Sequence, residues 1–139
     1  MQFETNSDEE TIALGQKLVR EVLPRRGVVL LTGGLGAGKT TLAKGITEGL
    51  GAARQEDVSS PTFTLIHEYG EPPAVYHIDL YRLDEERQAA ALGIEELLEH
   101  DALVLVEWGE RFPGLWPEER IEIHIERTGA DQRRFMIRL

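Results

Sequence analysis

The sequence predicts an α/β fold in three layers: a mixed, mainly parallel sheet flanked by helices, with an antiparallel hairpin at the C-terminus. Two aliphatic runs, Val28–Leu31 and Ala102–Val106, carry the first part of that prediction. Each is too short for a helix between its breakers, and an unbroken apolar run of this length is the pattern of a strand buried in a parallel sheet. A glycine-rich segment directly after the first run, followed by helical sequence, is the second observation. The third is the tail, where Arg120–Arg127 and Gln132–Leu139 alternate on either side of Thr128–Asp131, which predicts the hairpin. A chain of 139 residues with no repeat, linker or low-complexity segment reads as one domain, 1–139.

The elements follow in order. Ser7 with Glu10 fits a capping box, and Asp8 and Glu9 favour the first turn of a helix. Ile12, Leu14, Leu18, Val19, Val22 and Leu23 approximate its apolar stripe, and Pro24 ends it. Gly27 opens the first aliphatic strand. Thr32–Gly38 is a glycine-rich loop, and Lys39–Leu50 is a helix stopped by Gly49 and Gly51. Arg54–Pro61 is polar loop. Thr62–Tyr69 and Ala74–Leu80 alternate around a turn at Gly70–Pro73, so they predict a second hairpin. Asp84–Ala91 and Ile94–His100 are helix candidates separated by Gly93. The second aliphatic strand ends at Glu107.

Bulk properties exclude several classes. The hydrophobic share, 41%, is that of a folding globular chain. There is no cysteine, hence no disulfide framework and no thiolate metal site, which suits a reducing compartment. The start of the chain has neither a basic segment nor an apolar run, and no aliphatic stretch approaches membrane length. A cytoplasmic protein with no membrane association is expected. The net charge of −10 repels phosphate backbones and acidic lipid, so non-specific nucleic-acid binding is disfavoured. The basic pairs Arg25–Arg26 and Arg133–Arg134 read as solvated surface.

Gly33–Thr40 reads GGLGAGKT and matches G-x-x-x-x-G-K-[ST]. Its chemistry is the wrapping of a nucleotide's phosphates. Gly33, Gly34, Gly36 and Gly38 let the backbone turn its N–H groups inward, with Leu35 and Ala37 between them. Lys39 supplies charge for the β- and γ-phosphates. The Thr40 hydroxyl is the expected ligand of Mg2+, and the helix beginning here turns its positive end to the same place. The expected fold is that of P-loop nucleotide hydrolases, with ATP and Mg2+ as cofactors.

Such a site needs a carboxylate for the metal. Glu107 and Asp79 both stand at the C-terminal ends of apolar strands, where open α/β sheets bind ligands. Glu107, after the fully aliphatic strand, is the expected magnesium acid. Asp79 is either a second metal acid or the group that orients the attacking water. Ser59–Thr62 is either a switch loop reaching the γ-phosphate or a plain connection. Trp108 should lie near the site. Arg82 and Arg111 could touch phosphate, but surface positions are the better reading. His67, His77, His100 and His124 have no metal-ligand spacing and read as structural. Phe112, Leu115 and Trp116 read as a packed cap.

Several blocks together resemble the bacterial TsaE family, the ATPase of tRNA threonylcarbamoyladenosine biosynthesis. They are GGLGAGKTT at Gly33–Thr41, SPTFTL at Ser60–Leu65, YHIDLYRL at Tyr76–Leu83, LGI at Leu92–Ile94 and LVEW at Leu105–Trp108, in the same order as in the family. The resemblance implies ATP, magnesium, weak hydrolysis by the isolated chain, and work in a complex with TsaB and TsaD, through which alone it meets tRNA. The complex adds a threonylcarbamoyl group to the adenosine next to the anticodon. Carried over by position, Lys39 holds phosphate, Thr40 and Glu107 hold magnesium, and Thr41 contacts nucleotide. Asp79 is needed for hydrolysis and Thr62 belongs to a switch loop. Thr11 matches a position near the base. Gly34 stands where many relatives carry Asp.

Three rival readings share the loop. A small-molecule kinase would need an arginine-bearing lid, and Asp84–Asp101 is acidic with Arg87 as its only arginine or lysine. A GTPase would need an Asn-Lys-x-Asp segment, which is missing. The third is a binding module that holds nucleotide without turnover, against which Asp79 and Glu107 argue.

Overall fold

A computed structural model describes all residues, 1–139. Seven strands form one sheet in the order β1-β7-β6-β2-β5-β4-β3. They are β1 (Gln2–Thr5), β2 (Gly27–Thr32), β3 (Ile66–Tyr69), β4 (Val75–Asp79), β5 (Leu103–Glu107), β6 (Ile121–Arg127) and β7 (Arg133–Arg138). The central four, β6, β2, β5 and β4, run parallel, and the antiparallel pairings lie towards the two edges. The two aliphatic runs are thus adjacent inner strands, buried on both faces, as their composition requires.

Helices α1 (Asp8–Glu21) and α2 (Lys39–Gly49) cover one face; the short α3 (Glu86–Ala90) and α4 (Ile94–Leu97) lie on the other. Alternation along the strands divides the core. Val29, Leu31, Leu103, Leu105 and Ile123 pack with Leu18, Leu42 and Ile46 of α1 and α2. Val28, Leu30, Val104 and Val106 pack with Ala89, Ile94, Phe112 and Trp116. The expected cap after β5 is therefore core, and Trp116 Nε1 donates to Gly109 O at 2.8 Å. No helix is long and apolar enough to cross a membrane.

Four elements differ from expectation. β1 was not anticipated: its four residues carry one large apolar side chain, and it exists because β7 offers an open edge. β3 starts at Ile66 and not at Thr62, because Leu65 N bonds to Pro61 O at 2.6 Å and Leu65 takes a left-handed φ of 72°. The two acidic helices shrink to about one turn each. Ser7 caps α1 as expected, with Glu10 N donating to its Oγ at 3.0 Å.

The α1–α2 contact is made by glycines. A Cβ on Gly15 would stand 2.7 Å from Ile46 N and 2.8 Å from Leu42 O, and one on Gly45 would overlap the Ile12 carbonyl. Gly45→Ala, which improves an exposed helix, should here destabilise the protein by about 1–3 kcal/mol through overpacking. Urea denaturation checks this; an unchanged midpoint would mean that the helices are not held this closely.

Candidate functional site

Gly33–Gly38 leaves β2 at the C-terminal edge of the sheet and delivers the chain into α2. Gly33, Gly36 and Gly38 have φ of 142°, 73° and 112°, conformations that disfavour any side chain. Gly33 also approaches the Ile125 carbonyl too closely for a Cβ. Gly38 is the N-cap of α2, which has no side-chain cap and no acidic residue in its first turn. Its unbonded N–H groups and positive end therefore face the cleft.

The cleft has a volume of about 390 Å³. Leu35, Gly36, Ala37, Gly38, Lys39, Thr40 and Thr41 line one side; Asp79, Glu107 and Trp108 form its floor; Ser60, Thr62, Tyr81, Asp8 and Arg133 complete it. β4 and β5 pair so that Asp79 is level with Glu107, and β2 and β5 so that Leu31, just before the loop, is level with Glu107 too. Register alone places both carboxylates beside the loop.

Both are nearly inaccessible, Asp79 2% and Glu107 4% exposed. Glu107 Oε2 accepts the Thr40 hydroxyl at 3.0 Å and faces His77 Nε2 at 2.6 Å. Asp79 Oδ2 accepts from Ser60 Oγ and Thr62 Oγ1, each at 3.0 Å, and Oδ1 accepts Tyr81 N at 2.9 Å. The loop before β3 is thus fastened to Asp79.

Lys39 is 4% exposed. Its Nζ donates to Gly33 O at 2.8 Å and lies 3.5 Å from the Trp108 ring centroid. Burial pushes its ammonium below the ordinary lysine value, while the carboxylates of Glu107, Glu110 and Asp79 act to raise it. Trp108 is held in a left-handed conformation, φ 64°, against Tyr81 at 5.0 Å.

A magnesium ion fits the donors present. Thr40 spends its proton on Glu107, so its oxygen lone pairs are free. No group of three or more acids and histidines could hold a metal by itself. Mg2+ takes one or two protein oxygens and completes its shell with water and phosphate, so the Thr40 hydroxyl and Glu107 are donors of the right kind.

Of the residues expected here, Leu35, Gly36, Ala37, Gly38, Lys39, Thr40, Thr41, Thr62, Asp79, Glu107 and Trp108 meet at the cleft. Gly33 takes part through its carbonyl, and Gly34 stands beside it in open space. Thr11 is not brought in: it is buried, with its hydroxyl 2.7 Å from Thr5 Oγ1 and 3.2 Å from Ser7 O, and so ties α1 to β1. Asp8, one turn earlier, reaches the cleft instead. Arg111 is spent on the carbonyls of Leu80 and Tyr81, and Arg82 stacks 5.0 Å from Phe63.

One residue departs from expectation and one gains a partner that its spacing does not show. Arg133 is not solvated surface: it lines the cleft against Gly38, and its Nε is buried without a partner. His77 touches Glu107. Its signal was the alternation of β4, which puts Val75, His77 and Asp79 on one face.

Strand, glycine loop and uncapped helix, with paired acids at the strand ends, define a class: α/β proteins whose cleft lies at the C-terminal edge of a parallel sheet, at an open helix N-terminus. Comparison with known proteins narrows the class. The family model "Threonylcarbamoyl adenosine biosynthesis protein TsaE" matches residues 5–135. The tRNA threonylcarbamoyladenosine biosynthesis protein TsaE of Bacillus subtilis is 41% identical over 134 residues, covering 96% of this chain and 82% of its own. That of Treponema pallidum is 37% identical, covering 96% of both. A crystal structure of Bacillus subtilis YdiB superposes with a TM-score of 0.76 at 34% identity, over 99% of this chain and 83% of that one. The chain belongs to the TsaE family of tRNA threonylcarbamoyladenosine biosynthesis proteins.

The buried lysine gives a prediction for the protein by itself. Its folded-state pKa lies below the unfolded value, so the charged form opposes folding at neutral pH and is relieved as pH rises toward 10.5. Lys39→Met should be at least as stable as the wild type at pH 7, with the difference shrinking toward pH 10.5. Denaturant unfolding at both pH values reads this. A variant less stable at pH 7 would show that the Gly33 and Trp108 contacts outweigh the burial of charge.

Proposed function

We propose that this chain binds ATP with magnesium in the cleft and hydrolyses it, as the ATPase component of the threonylcarbamoyladenosine machinery. It acts with TsaB and TsaD and reaches tRNA only through them. The observation that carries the reading is the Thr40–Glu107 hydrogen bond at the mouth of the glycine loop, level with Asp79. It presents a hydroxyl oxygen and a carboxylate together, beside free helix N–H groups.

In this reading the N–H groups of the loop and of α2 hold the phosphates. Lys39 exchanges its Gly33 carbonyl for phosphate oxygen, and Arg133 adds a second cation beside Gly38. Thr40 and Glu107 hold the metal, whose chemistry is to neutralise charge on the phosphates. Water, aligned by Asp79, attacks the γ-phosphorus in line as its bond to the bridging oxygen of the β-phosphate breaks; ADP leaves, and the water's proton ends on the released phosphate. That carboxylate has about four lone-pair sites. Ser60, Thr62 and Tyr81 N take three, and the one left, on Oδ1, can accept a proton of the water. Ser60 and Thr62 make the loop's position depend on Asp79, as a switch segment would require.

Arg133 stands at the side of the loop, and Arg82 and Arg111 are engaged elsewhere. An arginine inserted over the transferring phosphoryl is worth roughly 10³–10⁵ in rate, so the chain alone should be slow. ATP turnover should rise when TsaB and TsaD are added; turnover that ignores them but needs a small-molecule acceptor would make the protein a kinase. Asp79→Asn should keep nucleotide affinity within about threefold and lower hydrolysis by roughly 10²-fold or more. Equal hydrolysis by this variant would remove Asp79 from the mechanism.

A further inference from the structure

His77 is fully buried on β4, and its ring meets the polar world at one atom. Nε2 is 2.6 Å from Glu107 Oε2, and Nδ1 has no partner. The same Oε2 accepts the Thr40 hydroxyl at 3.0 Å. A carboxylate oxygen has two in-plane lone pairs, so Oε2 is filled and Oε1 is the oxygen left for whatever enters the cleft.

The contact demands a proton between an imidazole nitrogen and an acceptor oxygen. A proton on Nδ1 would be a buried donor with nothing to donate to, a rare situation in folded proteins, whereas a bare Nδ1 forfeits much less. His67, its register partner on β3, supplies no acceptor for it. The geometry therefore puts the proton of this contact on Nε2 and leaves Nδ1 bare. Nor is the bond needed to join β4 to β5, which already pair along five register positions.

We infer that His77 is a positioning residue for Glu107. It holds the carboxylate in one rotamer, with Oε2 turned to Thr40, so that Oε1 and the Thr40 hydroxyl oxygen face a metal–nucleotide together. This rests on the magnesium–nucleotide reading above. In metal sites the groups that orient a ligand from behind typically contribute 10- to 100-fold to metal affinity.

Two measurements test it. Nitrogen-15 NMR of the histidine rings in the native protein should show His77 with a protonated Nε2 and a bare Nδ1; a bare Nε2 overturns the inference without any substitution. Nucleotide affinity is then compared in magnesium and in EDTA. His77→Leu should lose roughly 10- to 100-fold of the magnesium-dependent gain and leave the EDTA affinity unchanged. His77→Gln, whose amide can donate from nearly the Nε2 position, should keep most of it. A leucine variant that retains the full gain, or a glutamine variant that loses as much as leucine, overturns the positioning role. A wild type with equal affinity in magnesium and EDTA sinks the magnesium reading itself, which is a different result.

Discussion

Two carboxylates are buried at one level, Glu107 and Asp79 on adjacent strands, and their need for hydrogen-bond donors organises everything around them. An ionised carboxylate out of water is expensive unless its lone pairs are satisfied. Here the donors come from four separate parts of the chain: Thr40 from α2, His77 from β4, Ser60 and Thr62 from the loop before β3, and the Tyr81 amide from the turn after β4. Each contact that stabilises a carboxylate also fixes a piece of the cleft wall. The acids therefore serve the fold in the same act by which they line the cleft.

The cationic side of the cleft depends on the opposite device. α1 has a capping serine and three acidic residues in its first turn; α2 has neither. The two helices lie glycine to glycine, and that close approach helps fix where the N-terminus of α2 points. One helix is completed by its own sequence and packs as scaffold. The other is left open at the end where the glycine loop delivers it, and a bound anion would supply what a cap does elsewhere.

What the sequence made legible follows from how local each signal is. Val28–Leu31, Ala102–Val106 and the loop between Thr32 and Lys39 declare themselves within a few residues, and with strand ends come Glu107 and Asp79. Register then does the rest, because adjacent parallel strands of equal length end together. The misses are all non-local. β1 is a strand only because β7 has an open edge. Arg133 reads as a surface residue until the terminal hairpin carries it against Gly38, a distance of ninety-odd positions along the chain. Thr11 sits in the right helix, but its hydroxyl is bound inward, and the helix start at Asp8 meets the cleft instead. The site needed one more kind of information, namely which side-chain atoms share an oxygen, and only coordinates show that His77 and Thr40 converge on Glu107 Oε2.

Net charge bears on how a member of a tRNA-modification family can take part in its pathway. With 25 acidic against 15 basic residues, the chain as a whole repels a polyanion. Several arginines are also committed within the protein: Arg111 to two carbonyls, Arg120 to Glu122, Arg134 to Glu4 and Glu126. Lys39 and Arg133 are at the cleft, which suits a few phosphates of one nucleotide and not the length of an RNA. Affinity for RNA grows with the number of phosphates neutralised. In the proposed reading those two cations would serve a single triphosphate, and a chain otherwise so acidic would meet tRNA through partners, the division of labour proposed with TsaB and TsaD.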